Sequence, residues 1–124
     1  MIHGVGVDIQ DSARLESLRG KYSDPFFSAT YTEAEYEVGI GKPDPILYFT
    51  ERFAAKEAVF KALNVNSTEF RFTDIETRND DTGKPVVELY MYTRKLYEEK
   101  GINSVHLSIS NDNGFVVAIA VCEK

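Results

Sequence analysis

Residues 52–63 of the chain read RFAAKEAVFKAL, a stretch that predicts the second half of a long helix. At about 100° per residue, one narrow stripe of this helix collects Ile46, Phe49, Phe53 and Phe60. Glu57 lies in the middle of the stripe, where an ionised carboxylate is unfavourable unless a cation or a metal shares the site. Two interpretations follow. Either Glu57 faces a cleft as a metal-binding or catalytic carboxylate, or it forms a surface pair with Lys61 one turn further on.

The composition predicts one cytoplasmic globular domain over residues 1–124. Fourteen basic and 20 acidic residues give a formal charge of −6, which argues against nucleic acid as a partner. No stretch has the length of a membrane span, and the first residues lack the layout of a secretory signal. Cys122, the only cysteine, has no partner for an internal disulfide. We therefore expect no membrane association.

Residues 2–9 (IHGVGVDI) predict a strand. By the period of two, one face carries three branched apolar side chains: Val5, Val7 and Ile9. The opposite face carries Gly4, Gly6 and Asp8, and the two glycines leave room for another backbone or a ligand. Asp8 can be a functional carboxylate on this face, or simply a residue at the start of the short helix expected up to about residue 19.

The rest of the chain predicts an α+β fold. A Thr32-to-Glu35 capping box starts a short helix, and Pro45 suits the first turn of the long one. The other expected elements are a loop at 21–31, a strand at 70–77, its hairpin partner at 84–92, a helix at 93–100, and strands at 105–109 and 115–122. The last strand is an apolar run typical of a central position. We expect an antiparallel sheet packed against the long central helix.

Four blocks of this sequence resemble one known family. They are GVDI at 6–9, RFAAKEA and KAL at 52–58 and 61–63, GKP at 83–85, and HLSIS at 106–110. Their order and spacing are similar to those of the holo-[acyl-carrier-protein] synthases, which are small single-domain 4′-phosphopantetheinyl transferases. The resemblance implies transfer of 4′-phosphopantetheine from coenzyme A to a serine of an apo acyl carrier protein, releasing 3′,5′-ADP. It also implies a magnesium ion and a homotrimer with active sites between subunits.

The resemblance assigns the catalytic roles to three residues. Asp8 and Glu57 would bind Mg²⁺, which typically takes only one or two protein carboxylates beside substrate phosphates and water. Lys61 would contact the substrate phosphate or the leaving group. These roles suit phosphoryl transfer, in which an enzyme mainly positions groups and neutralises charge.

The resemblance also implies residues that bind coenzyme A and the carrier. Arg52 and His106 would hold the 3′-phosphate of the nucleotide, although a lone strand histidine is more often simply hydrogen-bonded. A neighbouring subunit would border the adenine with Gly83, Lys84 and Pro85, of which Lys84 can equally be a plain turn residue. Arg14 matches the position at which the family presents a basic residue to the acidic carrier protein, a contact that should weaken as salt rises.

Two departures from the family pattern and one open role remain. Residues 64–67 read NVNS where a glycine-containing turn is usual, and Asn111 stands where a histidine is frequent. The base that deprotonates the attacking serine is either Glu35 or a metal-polarised water. The departures motivate an alternative function, a catalytically weak or inactive domain of the same fold that binds carrier protein or nucleotide. The pathway of the carrier, whether fatty acid, polyketide or other synthesis, is not encoded in these motifs.

Overall fold

The computed structural model describes residues 1–17, 25–64 and 68–124. Its elements in chain order are β1 (Ile2–Asp11), α1 (Ser12–Glu16), α2 (Pro25–Thr30), α3 (Glu33–Ile40), α4 (Pro45–Leu63), a 3₁₀ helix (Phe72–Asp74), β2 (Ile75–Asn79), β3 (Pro85–Leu89), α5 (Met91–Glu99), β4 (Ser104–Asp112) and β5 (Phe115–Glu123). One antiparallel sheet has the order β1-β5-β4, and β2 and β3 form a separate hairpin. The predicted α+β class and the central last strand are confirmed. In these ranges no helix has the length and apolarity of a membrane span.

The long helix α4 begins and ends where the sequence predicts. Asp44 precedes it, and its Oδ1 accepts a hydrogen bond from the backbone N–H of Leu47 at 3.1 Å. Pro45 occupies the first turn, where its missing N–H costs nothing. At the other end Asn64 has φ 58° and ψ 49°, and its N–H reaches the carbonyl of Lys61 at 3.1 Å. Asn therefore supplies the left-handed ending that glycine usually provides.

Helix α4 lies directly against the backbone of β1. A Cβ atom at Gly6 would sit 1.9 Å from the carbonyl oxygen of Ala58, and one at Gly4 would sit 2.2 Å from that of Ala62. The glycine face predicted to admit a backbone or a ligand therefore admits the helix backbone. The buried side chains of α4 that cover the sheet are mostly small, among them Ala54, Ala55, Ala58 and Ala62.

We expect Gly6→Ala to destabilise the fold by about 3 kcal/mol or more, because the new methyl group meets helix backbone that cannot move aside. Urea unfolding measures this change. Gly41→Ala is the matched control, since Gly41 has φ −89° and its added Cβ would have no neighbour closer than 3.6 Å. A similar loss of stability in both variants would contradict the role given to the β1–α4 contact.

The other face of the three-stranded sheet carries apolar side chains that the chain itself leaves exposed. They are Val5, Val7 and Ile9 of β1 and Phe115, Val117 and Ile119 of β5. Val7 is 57% exposed and pairs with Ile119, which is 42% exposed. The predicted sharing of one face by the β1 valines is confirmed, but this face points away from the core. We call these six residues the outer apolar face, and exposed apolar side chains grouped on one face are typical of an interaction surface.

The loop predicted at 21–31 is wrong over its second half. Pro25–Thr30 forms α2, with Pro25 in the first turn, and Phe27 is buried against Phe49 with ring centroids 5.3 Å apart. Packing of an aromatic side chain stabilises this short helix, which has too few residues to show a period. The expected end of the first helix near residue 19 and the first part of the predicted loop, residues 21–24, lie outside the described residues.

The strand predicted at 70–77 begins only at Ile75. Phe72–Asp74 is a 3₁₀ helix in which the N–H of Asp74 reaches the carbonyl of Arg71 at 3.0 Å. The alternation of Phe70 and Phe72 looked like a strand, but the two rings pack on each other with centroids 5.0 Å apart. Ring stacking against α4, rather than strand pairing, fixes this segment.

Candidate active site

Asp8 and Glu57 lie in one pocket of about 440 Å³ between β1 and α4. Because Gly4 meets Ala62 and Gly6 meets Ala58, the helix runs antiparallel to the strand. Two strand residues advance about 6.6 Å and four helix residues about 6 Å. Asp8, the next inward residue, therefore comes level with Ala54, and the pocket at this level is lined by Phe53 and Glu57. The other lining residues are Gln10, Arg14, Leu15, Phe26 and Phe53. The structure thus brings together the two carboxylates that the sequence singled out.

Both carboxylate oxygens of Asp8 are held by side chains. Lys61 donates from Nζ to Oδ1 at 3.2 Å and to the carbonyl of Val7 at 2.9 Å. Gln10 donates from Nε2 to Oδ2 at 2.7 Å. Sequence reasoning missed Gln10, although the period of two places it on the same face as Asp8. In the described part of the chain, Lys61 pairs with Asp8 and not with Glu57, so the surface-pair interpretation of Glu57 is wrong.

Glu57 is half-buried, and its surroundings work against its negative charge. Burial raises the pKa of its carboxyl, the nearby charge of Asp8 raises the pKa further, and Lys61 opposes the rise. Two carboxylates that repel each other across a pocket are stabilised by a cation between them. The arrangement therefore favours a positively charged ligand.

Arg14 lines the same pocket from α1. This helix follows β1 directly, and the carboxylate of Asp11 accepts a hydrogen bond from the N–H of Ala13 at 3.0 Å, which fixes where the helix starts. The first turn after the strand therefore holds Arg14 beside Asp8 and Glu57. A cation at this position can meet an acidic partner that approaches the pocket.

Arg52 lies in a second site, a cleft of about 170 Å³ that it lines together with Gly83, Pro85 and Asn79. Its Nη2 donates to Oδ1 of Asn79 at 3.4 Å, and its guanidinium lies 4.7 Å from the ring centroid of Tyr48. Its Nε and Nη1 are buried without a hydrogen-bond partner among the described residues. The structure thus places Arg52 beside the Gly83–Pro85 turn of its own chain, whereas the resemblance implies that this turn borders the adenine from a neighbouring subunit.

His106 does not lie near Arg52 within one chain. It sits on the same side of the sheet as the outer apolar face, since it pairs with Val121 in β5, and its Nε2 lies 2.9 Å from Oε1 of Glu123. Arg52 belongs to α4 on the opposite side of the sheet. One chain therefore brings together Arg52, Gly83 and Pro85 but leaves out His106.

Glu35 has no access to a substrate. Its side chain is 1% exposed, and Oε1 accepts from the N–H of Thr32 at 3.0 Å and lies 2.7 Å from Nζ of Lys56, while Oε2 accepts from the N–H of Thr77 at 2.9 Å. The predicted capping box is confirmed, but Glu35 as the catalytic base is not compatible with these contacts. Burial lowers the pKa of Lys56, and the charge of Glu35 opposes this shift. Sequence reasoning missed Lys56, whose neighbour Glu57 looked like the buried charge.

The structure shows the contact made by Asn111 and the conformation of Asn64, two residues at which the sequence departs from the family pattern. Asn111 donates from Nδ2 to Oε2 of Glu51 at 3.2 Å and so links β4 to α4. Asn64 adopts the left-handed conformation at the end of α4. Residues 65–67 lie outside the described part of the chain.

The comparisons with known proteins agree with these observations. The family model of the 4′-phosphopantetheinyl transferase superfamily matches residues 4–120. A holo-[acyl-carrier-protein] synthase of Syntrophus aciditrophicus is 35% identical over 124 residues, which cover 99% of this chain and 97% of the relative. The crystal structure of the synthase from Neisseria meningitidis superposes with a TM-score of 0.91 at 34% identity, covering 100% of both chains.

A third relative shows a ligand. The synthase of Bacillus anthracis, solved in complex with coenzyme A (3′,5′-ADP), has a TM-score of 0.78 and 35% identity, and the match covers 100% of this chain and 98% of that one. The family model and the curated relatives each span nearly the whole chain, so the resemblance of the four sequence blocks is confirmed. The chain belongs to the 4′-phosphopantetheinyl transferase superfamily and, within it, to the holo-[acyl-carrier-protein] synthases.

Proposed function

We propose that this chain is a magnesium-dependent holo-[acyl-carrier-protein] synthase that acts as one domain. It transfers 4′-phosphopantetheine from coenzyme A to a serine of an apo acyl carrier protein and releases 3′,5′-ADP. The observation that carries the proposal is the pocket shared by Asp8 and Glu57, with Lys61 bound to Asp8, in a chain of this family. The coenzyme A complex of the Bacillus anthracis relative supports the choice of donor.

The pocket residues fit a magnesium ion. Asp8 and Glu57 would supply hard oxygen ligands, and burial together with the charge of Asp8 raises the pKa of Glu57, an effect that a bound cation would oppose. In the described part of the chain no group of three or more His, Cys, Asp or Glu side chains converges on a metal position. Two carboxylates match Mg²⁺, which leaves most of its positions to phosphate oxygens and water. When bound, the ion would neutralise charge on the pyrophosphate.

The chain's own residues would then position the reacting groups. The serine oxygen of the carrier attacks the phosphorus that bears pantetheine, and the bond to the phosphate of 3′,5′-ADP breaks. Lys61, held next to Asp8, offers a positive charge to the leaving phosphate. The contacts of Glu35 argue against it as the base, so the remaining candidate from the sequence is a metal-polarised water.

The complete site would lie between subunits of a homotrimer. The outer apolar face exposes six large side chains that a second copy of the chain would bury, and His106 shares this side of the sheet. His106 of one subunit would then join Arg52 of another around the 3′-phosphate, beside Gly83, Lys84 and Pro85. The single Cys122, buried and without a disulfide partner among the described residues, suits a reducing compartment such as the cytoplasm.

The decisive experiment incubates the chain with coenzyme A, Mg²⁺ and an apo acyl carrier protein. We expect the carrier to gain the mass of one phosphopantetheine group, and chelation of Mg²⁺ by EDTA to stop this gain. Binding of coenzyme A without any gain on several carriers would instead favour the non-catalytic alternative. The left-handed Asn64, which keeps the helix ending in place, argues for activity.

We expect Arg14→Ala to raise the KM for the carrier about fivefold, because one positive charge beside the pocket is lost to an acidic partner. The KM for coenzyme A should not change. The ratio of carrier KM values between variant and wild type should shrink as salt rises, since the lost contact is screened. Lys95→Ala, an exposed lysine on α5, serves as control. Equal losses for both substrates would refute docking at Arg14.

A further inference from the structure

The pair of Glu35 and Lys56 is the most deeply buried ion pair of the described chain. The two side chains are 1% and 0% exposed, and Nζ lies 2.7 Å from Oε1. The ammonium group also donates to the carbonyl of Phe72 at 3.0 Å and to that of Ile75. Its three N–H groups therefore have three acceptors, and both oxygens of Glu35 accept backbone N–H groups.

A gain in the stability of the fold does not by itself explain why the chain has such a buried ion pair. Removing two charges from water is costly, and apolar side chains of similar volume often serve a fold as well or better. A buried pair with fixed hydrogen-bond geometry does, however, hold its backbone partners in one arrangement. The question is therefore which parts of the molecule Lys56 and Glu35 hold together.

The pair joins α4 to the free edge of β2. Lys56 projects from α4 to the carbonyl of Ile75, and Glu35 accepts the N–H of Thr77, so two positions along this strand are fixed. Two residues further on, Asn79 pairs with Pro85 across the hairpin and accepts from Arg52 of α4. The pair thus sets the distance between Arg52 and the Gly83–Pro85 turn.

The other half of the site does not depend on this contact. Asp8 and Glu57 are brought together by the glycine contacts of β1 with α4 and by the bonds of Lys61 and Gln10. The pair is attached to the hairpin, and the carboxylates are attached to the sheet. Loss of the pair should therefore disturb the binding of the nucleotide more than the chemical step.

We propose that Glu35 and Lys56 are positioning residues that hold the β2–β3 hairpin against α4 and so shape the subsite for the nucleotide of coenzyme A. They touch no substrate and act through Arg52 and the Gly83–Pro85 turn. The inference rests on the proposed transfer from coenzyme A and adds the residues that preorganise one half of that site.

The test is the double variant E35Q/K56M. It contains no unpaired buried charge and keeps an acceptor for one of the two backbone N–H groups that Glu35 binds, but it lacks the ammonium that binds the carbonyls of Phe72 and Ile75. We expect the KM for coenzyme A to rise about tenfold while kcat falls less than about threefold. This pattern indicates the loss of an interaction that binds the substrate and the transition state equally. Hydrogen exchange of the β2 and β3 amides should become faster. The affinity for 3′,5′-ADP, measured by calorimetry, should fall by the same factor as KM rises.

A matched control removes an exposed ion pair. R94M/E98Q deletes the pair on α5, where Nε of Arg94 lies 2.7 Å from Glu98, and it should leave both kinetic constants unchanged. If E35Q/K56M exchanges faster but keeps the wild-type KM, or does not exchange faster at all, the positioning role is overturned. A single K56M that fails to fold does not affect this test, because the double variant has no uncompensated charge. A wild-type chain that transfers nothing would refute the proposed function instead.

Discussion

Glu57→Gln is expected to lower kcat/KM for phosphopantetheine transfer on the order of 1,000-fold, which corresponds to about 4 kcal/mol of transition-state stabilisation. The amide keeps the size of the side chain but loses the charge that would hold Mg²⁺ opposite Asp8. Transfer to an apo carrier, followed by mass spectrometry over a range of Mg²⁺ concentrations, measures the loss. High Mg²⁺ should restore part of the activity if the variant binds the ion more weakly.

The fold of this variant should survive. Glu57 is half-buried at the pocket wall, and its neighbour Asp8 opposes its charge, so the free energy of unfolding should change by less than about 1 kcal/mol. Glu37→Gln, an exposed residue of α3, provides the matched control and should retain wild-type kinetics. A Glu57→Gln enzyme that transfers at the wild-type rate would remove Glu57 from the proposed metal site.

The sequence predicts the parts of the fold that have strong local signals. The bounds of α4 follow from Asp44, Pro45 and the left-handed Asn64, and the central place of β5 follows from its unbroken apolar run. Glycines at alternate positions of β1 predict a close backbone approach, and α4 is the element that makes it. These features depend on a few residues that are neighbours in the sequence, so a single sequence is enough to predict them.

Features that depend on contacts between residues far apart in the sequence are harder to predict. The sequence pointed to Glu57 as the charge on the apolar stripe, whereas Lys56 is the fully buried one, because the hairpin and α3 cover a side of α4 that a helical wheel cannot reveal. For the same reason the sequence did not predict α2 or the 3₁₀ helix, because their aromatic side chains pack on residues far along the chain. The resemblance supplied the site residues, while Gln10 emerged only from the contact with Asp8.

The outer apolar face gives the second large prediction, that Ile119→Asp abolishes assembly and, with it, activity. Ile119 lies at the centre of β5, opposite Val7, and is 42% exposed. In a trimer the new carboxylate would be buried without a partner, which costs several kcal/mol at each interface. In a single chain it faces water and is tolerated. We expect a folded monomer by light scattering, and kcat/KM reduced at least about 100-fold, because each site of the proposed trimer would then lack the neighbour's residues.

Met91→Asp separates this effect from the mere addition of a charge. Met91 is 79% exposed on α5 and has φ 51°, a conformation that aspartate accepts. The variant should assemble and react like the wild type. A monomeric wild-type chain with full activity would contradict both the trimer and the shared site.

Mixed assemblies test the shared site itself. His106→Ala and Glu57→Gln should each be nearly inactive alone, because one lacks the residue offered to a neighbour and the other lacks its own carboxylate. When the two are dissociated together and reassembled in equal amounts, roughly a quarter of the sites combine an intact Glu57 with an intact neighbouring His106. Activity should therefore return to about that fraction of the wild type. If the two residues served the same site from within one chain, no mixture would regain activity, since every chain carries one of the two defects.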